Sequence, residues 1–291
     1  MATREAPNNG SRWSWIPWPV PHPMNLHIES IGSGPDIVLL HGWAMHSGMW
    51  RDVSDHLAQH FRLHLVDLPG HGFSRNCSPV RAPGSQSATL EGMAEMLADV
   101  LPASFIVCGW SLGGQIAIEL ALREPLRVRK LALISTTPCF VGRKDWQWGM
   151  EAATLQLFTE NLKRDYSVTM KRFLTLQISG GGGGTTSALA QLRRRLFERG
   201  KPDDAALEAG LQILLSSDLR DKIGNIRQPV LLFHGENDVI THPDAARWMN
   251  RQLQNSELIM LAGCGHAPFL SYPDRFVAGM LRLAHPLTYG H

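Results

Sequence analysis

The sequence Val-Cys-Gly-Trp-Ser-Leu-Gly-Gly, residues 107–114, contains the pattern Gly-x-Ser-x-Gly, which indicates the fold of this chain. A short apolar run at residues 104–108 precedes the serine, and apolar residues recur at helical spacing over residues 112–122. This order predicts a strand, a sharp turn and a helix.

Ser111 lies at the tip of the predicted turn, where its hydroxyl would project above the edge of a sheet. Such a turn holds the serine in a strained backbone conformation, and a side chain at Gly109 or Gly113 would collide with the neighbouring strand or helix. The helix begins at this point, so its backbone N–H groups can stabilise a developing oxyanion. Ser111 is therefore the candidate nucleophile.

Strands and helices alternate on both sides of this turn. Strands are predicted at residues 26–31, 36–40, 61–66, 104–108, 128–134, 229–235 and 257–261. Helices are predicted at residues 47–60, 90–101, 112–122, 243–253 and 273–284. This alternation predicts an α/β fold with a mostly parallel central sheet flanked by helices.

The alternation of strands and helices stops between residues 139 and 223, where helical segments follow one another and no buried strand is predicted. Helices are expected at residues 146–158, 161–177, 187–199 and 203–216, with a flexible glycine run at 180–184. We interpret residues 139–223 as a helical cap inserted into a core formed by residues 24–138 and 224–291. Residues 1–23, rich in Trp and Pro, predict a partly disordered N-terminal extension that can lay its tryptophans on the domain surface.

A serine nucleophile needs a histidine base and a carboxylate that orients the histidine. In a chain of this order the acid and then the histidine should follow the serine. Asp238 comes directly after a predicted buried strand, and His266 follows the last one, so both lie at the sheet edge that carries Ser111. Asp238 and His266 are therefore predicted to complete a triad. A turn aspartate and a surface histidine are the alternative.

The loop after residues 36–40 reaches the same sheet edge, and it can present the backbone N–H of Trp43 to an oxyanion. A glycine turn with a packed tryptophan is the alternative. We expect His41 and His71 to hydrogen-bond the backbone around this loop. His242 and His285 lie at helix ends that do not face the site.

Composition excludes several classes of protein. The chain has 291 residues, a formal net charge of +2 and four cysteines without Cys-x-x-Cys spacing. The charge does not suggest a nucleic-acid partner or a membrane partner, and no apolar run approaches the roughly 18 residues of a membrane span. No signal peptide and no metal-ligand spacing is recognisable. The cysteines are interpreted as free thiols in a reducing compartment, so a cytoplasmic location is expected.

Five motifs resemble one family. They are His-Gly-Trp at 41–43, Leu-Val-Asp-Leu-Pro-Gly at 65–70, Gly-Trp-Ser-Leu-Gly-Gly at 109–114, Arg-Phe-Leu-Thr-Leu-Gln at 172–177 and His-Ala-Pro-Phe at 266–269. Together they resemble the pimeloyl-acyl-carrier-protein methyl ester esterases of biotin synthesis, within the α/β-hydrolase superfamily. The resemblance extends over residues 26–283, and its specific parts are the tryptophan before Ser111 and the cap segment 172–177.

The resemblance implies hydrolysis of the methyl ester of a pimeloyl chain tethered to acyl carrier protein, without a cofactor or metal, by a protein expected to be a monomer. By position, Ser111, Asp238 and His266 would be the triad, and the amides of Trp43 and Leu112 the oxyanion hole. The residues implied to bind substrate are Trp43, Ser111, Leu112, Phe173, Leu174, Thr175, Leu176 and Gln177.

Charge in the predicted cap agrees with such a partner. Residues 163–199 contain eight basic and two acidic side chains, a balance of +6 against +2 for the whole chain. Because acyl carrier proteins are strongly acidic, a basic cap would steer them to the channel mouth. The candidate docking residues are Lys171, Arg172, Arg193, Arg194 and Arg195. An ordinary solvated helix face is the alternative.

Several rival hydrolase functions would use the same triad. The nearest is a broad-specificity carboxylesterase that acts on free short-chain esters, with an incidental basic cap. A carbon–carbon bond hydrolase or a lactonase of this fold would need the same triad, and in sequence only the cap would distinguish it from an esterase. A haloalkane dehalogenase is disfavoured because it would have an aspartate at position 111. A non-catalytic ligand receptor would keep the pocket and bind without turnover.

Overall fold

The computed structural model describes residues 26–77, 88–178 and 185–284. At its centre lies a seven-stranded sheet with the order β1-β3-β2-β4-β5-β6-β7. The strands are β1 (Ile28–Gly32), β2 (Asp36–Leu40), β3 (Arg62–Val66), β4 (Phe105–Trp110), β5 (Val128–Ile134), β6 (Val230–Gly235) and β7 (Ser256–Leu261). Strand β1 is antiparallel to β3, and every other pair is parallel. The predicted fold class is confirmed.

The central strands are buried because helices cover both faces of the sheet. All six residues of β4 are buried, as are the last four of β2. This explains why their sequences are continuous apolar runs rather than alternating ones. The structure extends β4 two residues beyond the predicted 104–108, so that the strand ends at Trp110, next to Ser111.

Helices of the core follow the strands. They are α1 (Arg51–Leu57), α2 (Leu90–Ala98), α3 (Leu112–Arg123), α8 (Arg220–Ile223), α9 (Pro243–Gln252), α10 (Pro268–Ser271) and α11 (Pro273–Leu281). Short 3-10 turns occupy Ser47–Trp50, Gly72–Ser74 and Arg282–Ala284. Residues at the amino ends fix where two of these helices begin. The Thr89 side chain accepts from the Gly92 N–H at the start of α2, and Pro243 occupies the first turn of α9.

Four helices fall in the segment predicted as a cap: α4 (Ala152–Arg164), α5 (Tyr166–Gln177), α6 (Thr185–Glu198) and α7 (Asp204–Ser216). The predicted helix at 146–158 is wrong at its start. Trp146 is buried in a loop and its indole N–H donates to the Cys139 carbonyl over 2.8 Å. The predicted helix at 161–177 is divided at Asp165, whose carboxylate accepts from the Val168 N–H and so caps α5.

The parallel strands bring the candidate residues to one edge. Trp43 follows β2, Ser111 follows β4, Asp238 follows β6 and His266 follows β7. The carboxyl ends of parallel strands open to a crevice where ligands bind in α/β folds. The N-terminal extension predicted at 1–23, the glycine run at 180–184 and His285 lie outside the described residues.

Within the described ranges, none of the helices combines the length and the apolar character that a membrane crossing requires.

Candidate active site

Ser111 occupies a strained turn between β4 and α3. Its backbone has φ 56° and ψ −118°, a region that non-glycine residues rarely adopt, and its N–H donates to the Ile134 carbonyl over 2.9 Å. Ser111 is the N-cap residue of α3, yet its side chain makes no capping hydrogen bond to the N–H groups of the first turn. The hydroxyl is therefore left for chemistry, and the residue is only partly buried, whereas Trp110 and Leu112 beside it are buried.

The two flanking glycines permit this turn. A Cβ on Gly109 would lie 2.2 Å from the Gly113 carbonyl oxygen, inside the following helix. A Cβ on Gly113 would lie 2.5 Å from the Leu40 carbonyl oxygen, on the neighbouring strand β2. Both predicted collisions are thus confirmed, and with them the reason for the Gly-x-Ser-x-Gly pattern.

Asp238, which follows β6, and His266, which follows β7, form a buried pair at the same sheet edge. The His266 Nδ1 lies 2.8 Å from the Asp238 Oδ2, and both residues are buried. The other carboxylate oxygen, Oδ1, accepts from the N–H groups of Ile240 and Thr241. Because Asp238 binds the Nδ1–H, the second ring nitrogen of His266 is the candidate base.

The Asp238 carboxylate has two further side-chain partners that sequence reasoning missed. The Thr241 hydroxyl donates to Oδ2 over 2.7 Å, and the His234 Nε2 lies 3.3 Å from the same oxygen. The Thr241 Oγ1 also lies 3.2 Å from the His266 Nδ1. A polar residue inside the apolar strand β6 was a signal for His234, whereas nothing in the sequence marks Thr241 as a partner of the acid.

These contacts keep the acid ionised. Burial on its own would raise the pKa of Asp238, but the charge of His266 and the hydrogen bonds from His234 and His266 lower it well below its usual range. A carboxylate that stays ionised can hold the histidine in one tautomer and stabilise the imidazolium that forms during attack.

The backbone of His266 is fixed from both the core and the cap segment. The Trp110 indole N–H donates to the His266 carbonyl over 2.8 Å. The Gln177 carbonyl accepts from the N–H groups of His266, at 2.8 Å, and Ala267, at 3.1 Å. The residue before the serine and the end of α5 therefore both position the histidine.

Two backbone N–H groups are available for an oxyanion. Leu112 is the first residue of α3 and Trp43 lies in the loop after β2, and neither N–H donates to another described residue. A Cβ on Gly42 would lie 3.3 Å from the Ser111 Cβ, which brings this loop against the serine. The two N–H groups are therefore the candidate donors of an oxyanion hole.

A histidine pair holds the oxyanion loop, as predicted. The His41 Nε2 accepts from the Leu68 N–H and its Nδ1 lies 2.8 Å from the Gly42 carbonyl oxygen, while the His71 Nδ1 lies 2.9 Å from the Pro69 carbonyl oxygen. Burial, together with the neighbouring His71, lowers the pKa of His41 to about 3. His41 is therefore neutral, and its role is structural.

Among residues 173–177 of the cap segment, some contact residues of the candidate site and others are exposed to solvent. The Phe173 ring lies 5.6 Å from the Trp43 ring, and the Gln177 carbonyl holds His266. Leu174 is fully buried in the core cluster. Thr175 and Leu176 are exposed, and the Thr175 hydroxyl donates to the Lys171 carbonyl of its own helix. The structure thus brings Phe173 against Trp43 and the Gln177 carbonyl against His266, and it brings Thr175 to neither.

The proposed docking residues are exposed with one exception. Lys171, Arg172, Arg193 and Arg194 are exposed. Arg195 is 1% exposed, forms an ion pair with Asp52 and donates to the Met49 carbonyl over 3.2 Å. The assignment of Arg195 to carrier-protein docking is wrong, because its side chain points from α6 into the core and cannot reach a partner.

The cysteines are the other reactive side chains near the site. All four cysteines are free and buried, and burial raises the pKa of Cys108, next to the turn, well above its usual range. Among the residues that the structure describes, no three His, Cys, Asp or Glu side chains gather as metal ligands would.

Comparisons with known proteins agree with this geometry. The model of the family described as alpha/beta hydrolase fold matches residues 35–273. The esterase from Exiguobacterium antarcticum superposes with a TM-score of 0.78 at 24% identity, covering 89% of this chain and 95% of that one. The bromoperoxidase from Bacillus anthracis has a TM-score of 0.79 at 18% identity, covering 88% and 94%. At these identities the likeness shows the fold.

Curated relatives are much more similar in sequence. The pimeloyl-[acyl-carrier protein] methyl ester esterase of Nitrosospira multiformis is 62% identical over 90% of this chain and 98% of its own length. The protein of the same name from Nitrosomonas europaea is 54% identical over 87% and 97%. The chain therefore belongs to the α/β-hydrolase fold family and, within it, to the pimeloyl-[acyl-carrier protein] methyl ester esterases.

Proposed function

We propose that this protein is a serine esterase that hydrolyses the methyl ester at the end of a pimeloyl chain carried on acyl carrier protein, releasing methanol. The observation that carries the proposal is the 62% identity to a relative of that name over nearly its whole length. The buried Asp238–His266 pair and the strained Ser111, which follow strands that end at one sheet edge, support the reaction class. As the family resemblance implies, the demethylated product would serve biotin synthesis.

Attack begins when the ring nitrogen of His266 that faces away from Asp238 takes the proton of the Ser111 hydroxyl. The serine oxygen adds to the ester carbonyl, and the negative charge moves to the carbonyl oxygen. The N–H groups of Trp43 and Leu112 stabilise that charge. Asp238, which stays ionised, stabilises the new imidazolium of His266.

The tetrahedral intermediate then collapses. Its bond to the methoxy oxygen breaks, and the imidazolium of His266 gives its proton to that oxygen, so that methanol leaves. Water repeats the sequence on the acyl-Ser111 ester, with His266 first as base and then as acid. The products are methanol and a free carboxylate at the end of the tethered chain, and the enzyme is restored.

The surface formed by Lys171, Arg172, Arg193 and Arg194 supports a carrier-protein partner. These four side chains are exposed on α5 and α6, and α5 ends at the Gln177 carbonyl that holds His266. Exposed basic side chains on these two helices can raise the encounter rate of an acidic partner and orient it.

A salt series tests the substrate. We compare hydrolysis of the pimeloyl methyl ester on acyl carrier protein with that of the free methyl ester. The proposal expects a preference for the tethered ester of about tenfold or more that fades as salt screens the cap charges. Equal hydrolysis of both esters at every salt concentration would favour the broad-specificity carboxylesterase.

Charge reversal tests the surface. The variant Arg193→Glu/Arg194→Glu should lose most of the preference for the tethered ester and keep its rate on the free ester, because both residues lie away from the triad. The matched control is Arg129→Glu/Arg227→Glu, which reverses two exposed charges at the amino ends of β5 and β6. If the two variants lose the preference for the tethered ester equally, Arg193 and Arg194 on α6 have no specific docking role.

A further inference from the structure

The Trp43 indole makes its hydrogen bond and its two aromatic contacts, among the residues that the structure describes, with the cap segment, although its backbone belongs to the core. Its indole N–H donates to the Leu207 carbonyl of α7 over 3.0 Å. Its ring lies 5.4 Å from the Phe158 ring on α4 and 5.6 Å from the Phe173 ring on α5, each with edge-to-face geometry. Three helices thus converge on the residue whose N–H is the first oxyanion donor.

Gly210 makes the contact with α7 possible. A Cβ there would lie 2.5 Å from the Trp43 Cδ1 and 3.4 Å from the Leu112 Cδ2. The glycine therefore faces both residues that supply the candidate oxyanion donors. Gly210 lies in the interior of α7, where glycine costs about 1 kcal/mol relative to alanine, so a close approach rather than helix propensity explains the residue.

We propose that Gly210 and the Trp43 indole are positioning residues for the oxyanion hole, through which helix α7 sets the place of the Trp43 and Leu112 N–H groups. The inference rests on the proposed serine-esterase function and adds to it a role for the cap in the chemical step. Because oxyanion donors act on charge that develops in the transition state, a displaced donor lowers kcat more than it raises KM.

The test compares two glycine-to-alanine variants. Gly210→Ala forces the Trp43 ring to move, whereas Gly224→Ala is the matched control, because a Cβ at Gly224 meets no described atom within 4 Å. Turnover is measured on p-nitrophenyl butanoate, which needs no carrier protein. Affinity is measured for a trifluoromethyl ketone with the same acyl chain, whose adduct with Ser111 carries the oxyanion.

We expect Gly210→Ala to lower kcat by about 10- to 100-fold and to raise the inhibition constant of the ketone by a similar factor, with KM within about threefold. Gly224→Ala should leave all three values within about twofold. A rise in KM with unchanged kcat and unchanged ketone affinity would show that Gly210 only shapes the substrate pocket, and would overturn the inference.

Trp43→Phe keeps an aromatic ring and removes the bond to Leu207, and it carries the test if Gly210→Ala does not fold. It should lower kcat and ketone affinity together, and unchanged values would also overturn the inference. The outcome for the proposed function is separate: wild-type protein that cleaves the p-nitrophenyl ester but not the carrier-bound methyl ester would refute the substrate and leave the positioning test intact.

Discussion

At the scale of single residues, the site depends on a few backbone positions that the sequence marks clearly. Ser111 adopts φ 56°, and the glycines on both sides leave no room for a Cβ. That is why a five-residue pattern, with its strand and helix, predicts the nucleophile. The order of residues along the chain predicts Asp238 and His266 as its partners. In the structure the Asp238 Oδ2 and the His266 Nδ1 are 2.8 Å apart.

Thr241 shows what such patterns do not contain. Its hydroxyl donates to the Asp238 Oδ2 and lies 3.1 Å from the Ser135 carbonyl oxygen, a contact that joins residues 106 positions apart. A partnership of this kind depends on how the turn after β6 lies on the end of β5. Sequence periodicity does not report that geometry, so the residue was missed.

The first prediction concerns this hydroxyl. Thr241→Val removes a donor from Asp238, and we expect kcat to fall about tenfold, which corresponds to about 1.4 kcal/mol, the energy of one buried hydrogen bond. Thr241→Ser keeps the hydroxyl and should restore most of the rate. Steady-state kinetics on a free ester measures both variants, and a valine variant as active as wild type would remove Thr241 from the site.

At the scale of elements, helix α6 explains the one docking residue that was assigned wrongly. Leu192, Arg195, Leu196 and Arg199 recur at helical spacing and are buried, whereas Arg193 and Arg194 point outward. The three consecutive arginines look alike in a count of charge. Only their rotation about the helix axis separates a core contact from an exposed one, and the leucine spacing was a signal for it.

The second prediction tests the attachment of α6. The Arg199 guanidinium donates to the buried Asp67 carboxylate over 2.9 Å, and Asp67 also accepts from the Ser47 and Phe73 N–H groups. Arg199→Met leaves that carboxylate buried with less compensation, so we expect the free energy of unfolding to fall by about 3 kcal/mol.

Arg194→Met is the matched control, because it removes an exposed arginine from α6, which ends one residue before Arg199. Its effect on the free energy of unfolding should stay within about 0.5 kcal/mol. Urea titration of both variants measures the difference. Equal stability of the two would contradict the role of Arg199 as the anchor of α6.

At the scale of the whole molecule, the strand order could not be predicted from the sequence. The alternation of strands and helices predicts a parallel sheet, but the order β1-β3-β2-β4-β5-β6-β7 depends on which apolar surfaces pack together. The same holds for the cap segment, where the loop around Trp146 and the break at Asp165 divide what periodicity treats as longer helices. Core elements with strong signals were predicted best.

The third prediction concerns the stability of the molecule at mildly acidic pH. Burial lowers the pKa of His41 to about 3 and also lowers the pKa of His46 and His71. In the unfolded chain these histidines bind protons below about pH 6.5, so the unfolded state binds more protons and stability falls as pH falls. The lowered pKa of His41 alone should decrease the free energy of unfolding by about 2 kcal/mol between pH 7.5 and pH 5.

Urea unfolding at the two pH values measures this loss. The window lies above the usual pKa of carboxylates, so Asp238 and Asp67, whose pKa values are lowered, do not contribute to it. A His71→Asn variant, with one buried histidine fewer, should show a smaller decrease between the two pH values. Stability that is unchanged or higher at pH 5 would contradict neutral, buried histidines.

Mass spectrometry of the carrier protein shows whether Ser111 cleaves a methyl ester on acyl carrier protein. After incubation with the wild-type protein, the pimeloyl methyl ester on the carrier should lose the mass of one CH₂ and the thioester should stay intact. Ser111→Ala should fold normally and lower the rate by about 10⁴-fold or more. A carrier whose mass is unchanged by the wild-type protein, or equally changed by Ser111→Ala, would contradict the account.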